Sequence, residues 1–515
     1  MFVRRKSNRS GSTSVVVVEK RNGKTIYHTT IGVSSDENEI RELVKKGKQW
    51  INNKLGQRDL FLEEARKIEE REVVESLLNK IDNVLLNGTQ MILNPVFDII
   101  GFDKINDNIL RHLVISRICQ PRSKAATVDY LKSYFDEDLG LHKIYRYLDK
   151  LNNSHKDLIQ SISVEHTLKI LGGKIGVVFY DVTTLYFETN VQDELRKTGF
   201  SKDGKHSLPQ VVLGLLISEG GYPLTYCIHE GNKYEGHTML PIVEEFVNKH
   251  NLEEFVVVAD SGLMNVNNVR ELEELGYKYI VGAKIKNESR EIKEWVLSQK
   301  KQDGAFYEYQ KTEKCKLILG YSQQSAKKDA YNREKGVRKL EKDIKNGRLG
   351  KDKINKRGYN KFLDISNDIY VTINQDKVNE DIKWDGLKGY ITNTDLSARD
   401  VYQQYSELWQ VERAFRVTKG ALELRPMFHF TRRRIEAHVC ICFVAYKVYK
   451  ELERILKVSK INLSVDKVLD IAKTITTIKV KLEENNEIMT KTLLLTPKHK
   501  SIERLFEQDF WEKFR

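Results

Sequence analysis

A chain of 515 residues, 40% hydrophobic and 31% charged, is too long for one compact core and too apolar for wholesale disorder, so roughly three or four domains are expected. No apolar run nears the length of a membrane-spanning helix, the longest being Val211 to Ile217 and Val439 to Tyr446. The basic stretch Met1 to Ser10 lacks the apolar block of a secretory signal, so a cytoplasmic protein without a membrane partner is expected. A net charge of +13 attracts polyanions, nucleic acid first, although plain solubility accounts for the charge equally well.

Residues 1–55 read as a small β-hairpin unit, with Ser14 to Glu19 and Thr25 to Ile31 joined through Asn22-Gly23, a strong hairpin turn. Residues 56–170 change to helical period, with short helices expected at Lys124 to Tyr134 and Lys143 to Leu151. Their Arg122, Lys124, Lys143 and Arg146 suit DNA as well as a plain scaffold. From 171 to 283 the order is β-β-β-α-β-α-β: strands Lys174 to Asp181, Gln210 to Ser218 and Tyr222 to His229, helix Met239 to Lys249, strand Glu254 to Asp260, helix Val266 to Leu275 and strand Tyr277 to Ala283. Residues 284–384 break the alternation and read as an inserted basic domain with a helix from Ala326 to Lys345. Lys327 to Lys361 alone holds fourteen Lys or Arg against five Asp or Glu, a block suited to a phosphate backbone. In 385–460, strand Leu387 to Thr392 precedes one long helix from the N-cap Ser397 to Lys419, stopping at Gly420 and before Pro426. A buried helix follows from Thr431 to Leu456, and 461–515 form a C-terminal region. The five cysteines, Cys119, Cys227, Cys315, Cys440 and Cys442, show neither disulfide nor zinc spacing and read as reduced core residues.

Two β-branched runs each lead into an aspartate, Ile175 to Tyr180 into Asp181 and Phe255 to Ala259 into Asp260, where α/β sheets gather their active sites. Either aspartate alone is as well explained as a turn cap. Glu412 adds the third acid. On one continuous helix at about 100° per residue, Val401, Tyr405, Leu408 and Phe415 lie within about 40° of one direction, and Glu412 points the same way. A buried carboxylate must be neutral, paired or metal-bound; an ion pair with Arg416 or Lys419 is the alternative to a metal. Three carboxylates without His or Cys favour Mg²⁺ or Mn²⁺, and two such ions about 4 Å apart clamp an in-line displacement at phosphorus. Gly172-Gly173-Lys174 lacks the spacing of a phosphate-binding loop, Ser261 has no base placed beside it, and no His-x-x-x-His pair occurs.

These residues resemble the DDE transposases of bacterial insertion sequences, in the insertion-sequence-four group with its Tyr-x2-Arg-x3-Glu-x6-Lys signature. Tyr405, Glu412 and Lys419 fall at its spacing, and further matches are Tyr180 to Thr184, Gly199 to Asp203, Gly231-Asn232 before Glu235, Ala259 to Gly262, Asp385-Gly386 and Trp409 to Arg416. The signature arginine is replaced by Leu408, for which Arg416 is the better substitute than Arg413. The resemblance spans about 174 to 450. It implies an α/β, RNase H-like catalytic domain interrupted by an insertion, two divalent cations on Asp181, Asp260 and Glu412, and DNA held by Tyr405, Arg416 and Lys419. It also implies a homodimer on two DNA ends, and cleavage of element ends followed by joining of 3′-hydroxyls to target DNA. A nuclease or resolvase that cuts without joining, and a non-catalytic DNA-binding repressor, are the rival readings.

Overall fold

The computed structural model describes the chain apart from residues 56–59, 202–203, 251, 253, 264–265, 348–357, 367–369, 426 and 483–486. Lys202-Asp203 of the Gly199 motif, ten residues of the basic block and Pro426 therefore lie outside the described residues. Met1–Val84 with Ile478–Lys491 form one compact unit, and Leu85–Thr477 with Thr492–Arg515 form another.

In the first unit β1 (Phe2–Ser7), β2 (Thr13–Arg21) and β3 (Lys24–Ser34) make an antiparallel sheet, carrying α1 (Glu37–Lys54). Asn22 and Gly23 both take positive φ, 50° and 76°, as a two-residue hairpin turn requires. β1 escaped the sequence reading because Arg4, Arg5 and Lys6 hide its alternation. The unit also contains α2 (Leu60–Asn79) and most of a small sheet of order β16-β15-β4, from β4 (Ile81–Leu85), β15 (Thr476–Lys481) and β16 (Ile488–Leu493).

The second unit is mixed α/β. Its helical entry comprises α3 (Gly88–Ile100), α4 (Asn108–Cys119), α5 (Lys124–Tyr130) and α6 (Leu141–Ile170). The last is 30 residues long, far beyond the expected stop at Leu151. Then come β5 (Val177–Tyr186), β6 (Gln210–Ser218), β7 (Pro223–Glu230), α7 (Met239–His250), β8 (Val256–Ala259), α8 (Val266–Glu274) and β9 (Lys278–Ala283). β5-β6-β7 is an antiparallel meander, whereas β8 lies parallel to β5 and β9 parallel to β8.

The segment expected as an inserted domain divides. After α9 (Arg290–Ser298), strands β10 (Phe306–Gln310) and β11 (Lys316–Tyr321) extend the same sheet. By contrast α10 (Gln323–Lys345), β12 (Leu363–Ser366), β13 (Tyr370–Ile373) and α11 (Gln375–Ile382) include a small core of their own around Leu340, Phe362, Leu363 and Val378. β14 (Leu387–Thr392) closes the gap, giving eight strands in the order β10-β11-β14-β9-β8-β5-β6-β7.

Side chains alternate along β5 between two cores. Val177, Phe179 and Leu185 face a layer built by α12 (Ala398–Ser406), α13 (Trp409–Lys419), α14 (Arg432–Val458) and α15 (Val465–Ala472). Val178, Tyr180 and Val182 share a second core with Met239, Val243 and Phe246 of α7. Every residue of β6 is buried, as expected of a strand covered on both faces. α14 is buried nearly all round, and its two internal charges are partnered. Lys447 Nζ donates to Thr167 Oγ1 at 2.6 Å and to the Ser163 carbonyl at 3.0 Å, and Glu451 accepts from Arg454. No described helix is long and apolar enough to cross a membrane. The five cysteines are unbridged, four of them buried and Cys227 half-buried.

Candidate active site

The two aspartates reach one place by strand register. Tyr180 pairs with Ala259 across parallel β5 and β8, and Ala259 with Val281 across β8 and β9. The next residues on the three strands are Asp181, Asp260 and Gly282, so the two carboxylates start from neighbouring chains about 4.8 Å apart. Period two puts Asp181 on the face of Phe179, toward α12 and α13. Asp181 does not end its strand, as the β-branched run suggested: β5 continues to Tyr186 because antiparallel β6 keeps pairing with it as far as Gln210. What ends at this level is parallel β8, leaving Asp260 exposed just beyond it.

Tyr405 completes the pair from above. Its hydroxyl donates to Asp260 Oδ1 at 3.1 Å, and burial, with the nearby Asp260 and Asp181 carboxylates, pushes its own ionisation well above the ordinary phenol range. Gly282 makes this possible, since a Cβ there would stand 2.6 Å from the Tyr405 hydroxyl oxygen. Tyr390, paired with Gly282 on β14, packs its ring 4.7 Å from that of Tyr405.

Glu412 does not lie on a buried stripe. The expected single helix breaks: the amides of Glu407, Leu408, Gln410 and Val411 each bond three residues back instead of four. Each such residue turns about 120° rather than 100°, so four of them swing the following helix roughly 80° out of phase. α13 consequently buries Val411, Ala414, Phe415 and Thr418, and Glu412 is exposed. Arg413 points to α14, where it pairs with Glu453. Arg416 lies about 40° from Glu412 on the side of Arg413, and Lys419 about 20° from it on the opposite side. Arg416 is exposed and Lys419 half-buried. Among the described residues no three His, Cys, Asp or Glu side chains are gathered as a metal-holding group.

Beside the pair, a cleft of about 580 Å³ runs along the same rim of the sheet, where β14 and β10 begin and β11 ends. Phe306, Tyr321, Tyr390 and Tyr402 supply aromatic faces, and Lys388 and Arg399 supply charge. Sequence reading missed this cleft, which depends on β10 and β11 joining the sheet, and Gly282, whose contact with Tyr405 depends on β9 lying between β8 and β14. The one signal available was Arg399, Tyr402 and Tyr405 recurring at i, i+3 and i+6 on the helix that precedes Glu412.

The match to a transposase DDE domain family model covers residues 172–447, more than half of the chain. No curated protein matches the chain. Among solved structures, a cryo-EM piggyBac transposase synaptic complex with hairpin DNA is similar at a TM-score of 0.39 and 9% identity, over 71% of this chain and 70% of that one. Asp181, Asp260, Tyr405 and Glu412 all fall inside the matched stretch, and the chain belongs to the transposase DDE domain family.

Proposed function

We propose that the protein is an insertion-element transposase of the insertion-sequence-four type, acting in the cytoplasm as a homodimer on two DNA ends. It cleaves the element ends and joins the freed 3′-hydroxyls to target DNA. In this reading β7-β6-β5-β8-β9 is an RNase H-like core. The observation that carries the proposal is the parallel register of Tyr180 with Ala259, which sets Asp181 and Asp260 one residue further along neighbouring chains, with the Tyr405 hydroxyl on Asp260.

Asp181, Asp260 and Glu412 would hold two Mg²⁺ or Mn²⁺ ions. An all-carboxylate donor set, two members of it side by side, fits hard cations. Bound there, the ions supply charge stabilisation for the attacking and leaving oxygens of a phosphoryl transfer. The chain's own residues do the rest. Tyr405 fixes the orientation of Asp260, and Lys419 and Arg416 present cations on the Glu412 flank to DNA phosphates. The rim cleft accepts a strand leaving the cut, its aromatic rings against bases and Lys388 and Arg399 against the backbone.

The test is incubation of the full chain with labelled element-end DNA and a target plasmid in Mg²⁺. Wild type should yield joined products. Asp260→Asn should bind the ends with unchanged affinity and release no cut strand; cutting retained by that variant rejects the assignment. Cut ends that never join select the nuclease reading.

A further inference from the structure

Residues 1–34 hold seven Lys or Arg against Glu19 alone, a surplus of +6 within a chain total of +13. Strand register sorts these charges onto two faces. β1 and β2 pair Phe2 with Val18, Arg4 with Val16 and Lys6 with Ser14, and β2 and β3 pair Val16 with Thr30, Val18 with Tyr27 and Lys20 with Thr25. Directly paired residues share a face, so Arg4, Lys6, Lys20, Phe2 and Tyr27 stand on one side of the sheet. The other side is closed by α1: a Cβ on Gly47 would stand 2.9 Å from Val3, and one on Gly32 would stand 2.5 Å from Leu43. Arg5 falls on that closed side and pairs with Glu37 at 2.7 Å. Glu19, next to Val18 along β2, turns the same way and is held by His28 Nε2 at 3.0 Å.

The open face of the three strands therefore carries no carboxylate. Arg4, Lys6 and Lys20 are exposed on it and form no ion pair with a described residue. Phe2 and Tyr27, 43% and 57% exposed, flank Val18, which is 4% exposed. Two blander accounts explain only part of this. Cations on an edge strand such as β1 keep sheets from pairing edge to edge, but Lys20 lies on the central strand. Solubility is served by charges of mixed sign and calls for no exposed aromatic rings. Charge of one sign interleaved with aromatic rings fits a nucleic acid. The shape favours a duplex, because three strands about 4.8 Å apart span roughly 10 Å, and the major groove, ~12 Å wide, admits a sheet of that width.

We propose that the open face of β1-β2-β3 is a docking surface for duplex DNA, set into the major groove with Arg4, Lys6 and Lys20 on backbone phosphates; it rests on the reading of the chain as a DNA-acting transposase and gives that reading a binding element in a different compact unit from the acids. Lys6, beside Ser14, and Lys20 stand near opposite ends of β2, about 20 Å apart by strand rise, so the contact runs along the groove and is not confined to one phosphate. Thr25 and Thr30, exposed on the same face, bring hydroxyls to base edges. α1 holds the strands in place from behind. The surface needs no metal, because the charge it offers is its own.

The test uses the full chain, a fluorescein-labelled DNA duplex of arbitrary sequence and EDTA, so that no strand is cut. One triple variant, Arg4→Gln with Lys6→Gln and Lys20→Gln, strips the open face. A control triple, Arg41→Gln with Lys46→Gln and Lys48→Gln, removes the same charge from exposed positions of α1. The first should lose about tenfold or more in affinity, and its slope of log affinity against log salt should become shallower by about 2 to 3, at roughly 0.9 for each phosphate-bound cation; the control slope should change by less than about 1. Equal losses in the two triples mark charge without a site and overturn the proposal. If the first triple melts at a lower temperature than wild type, Lys20→Gln alone decides: its slope should become shallower by about 1, and an unchanged slope overturns the proposal. Tighter binding of single-stranded DNA or of an RNA duplex, weakened by the same triple, assigns the face to that nucleic acid and overturns the duplex. Cutting of element-end DNA in Mg²⁺ separates the two readings. A wild type that cuts, with duplex binding unchanged in the first triple, sinks the docking surface alone; a wild type that never cuts, with binding lost in the triple, sinks the transposase reading and leaves the surface standing.

Discussion

Gly282→Ala tests the join between sheet register and Tyr405. The new Cβ stands 2.6 Å from the Tyr405 hydroxyl oxygen, 3.1 Å from the Ser261 nitrogen and 3.2 Å from the Ser261 Cβ. A carbon and an oxygen rest at about 3.3 Å, so the hydroxyl must retreat by roughly 0.7 Å and loses its bond to Asp260. A hydrogen bond to a charged group is worth about 1.5–3 kcal/mol; with Asp260 exposed, the lower end applies. Strain in the tightened row adds about 1 kcal/mol. Tyr405→Phe removes the same bond and also the atom that clashes, leaving Ser261 as the nearest neighbour of the new methyl. Gly282→Ala should therefore cost roughly 2–3 kcal/mol in wild type and under about 1 kcal/mol in the Tyr405→Phe background.

Two readouts check the coupling. Thermal melting followed by circular dichroism should show the two changes to be strongly non-additive, at about 1 °C per kcal/mol for a unit of this size. Metal-dependent strand cleavage should fall about tenfold or more in each single variant and no further in the double. Cleavage losses that multiply, or melting shifts that add, would show that Gly282 and Tyr405 act independently and that the register row does not position Asp260.

Arg333 of α10 donates two bonds to Asp385, at 2.5 and 2.6 Å, with both side chains largely buried. Arg333→Met should cost about 3 kcal/mol locally, seen as faster hydrogen exchange across residues 323–345 with α14 unaffected. Acid should also weaken the helical layer through two groups. Burial alone would raise Glu451, but Arg454 and His166 hold it below the usual carboxylate range, and burial keeps His166 below the usual imidazole range. Both depressed values mean that the unfolded chain binds more protons, so stability is complete above the ordinary imidazole range. It is lost as pH falls, first through His166 and then through Glu451. Melting temperature should decline from pH 7 toward pH 4, and less steeply in His166→Gln; an unchanged slope refutes the assignment to that pair.

Much of the second unit is legible because its signals are local. The runs Gln210–Ser218 and Leu387–Thr392 are strands to the residue, and Met239, Val266 and Ser397 mark their helix starts, since β-branching, periodicity and caps act within a turn or two. What is not legible depends on partners far along the chain. Asp181 sits in mid-strand because β6 outlasts β8 beside β5, and β10 and β11 join the catalytic sheet through pairing with β14, some 70 residues on.

Glu412 shows where local reasoning gives way. A helical wheel presumes one axis and one pitch from Val401 to Phe415, and four bonds of the shorter type at Glu407 to Val411 break that premise without any Gly or Pro to announce it. The Tyr-x6-Glu-x6-Lys spacing makes no such presumption, because it counts residues and not angles. Tyr405 lies before the break and reaches Asp260; Glu412 and Lys419 lie after it and share the flank that Arg413 leaves. The short turn thus divides the signature between two helices, α12 packed on β8 and β9 with Tyr405 on Asp260, and α13 packed on β5 and β6. The direction in which Glu412 leaves α13 is consequently set by the short bonds from Glu407 to Val411, which makes that turn the element that decides which way this carboxylate faces.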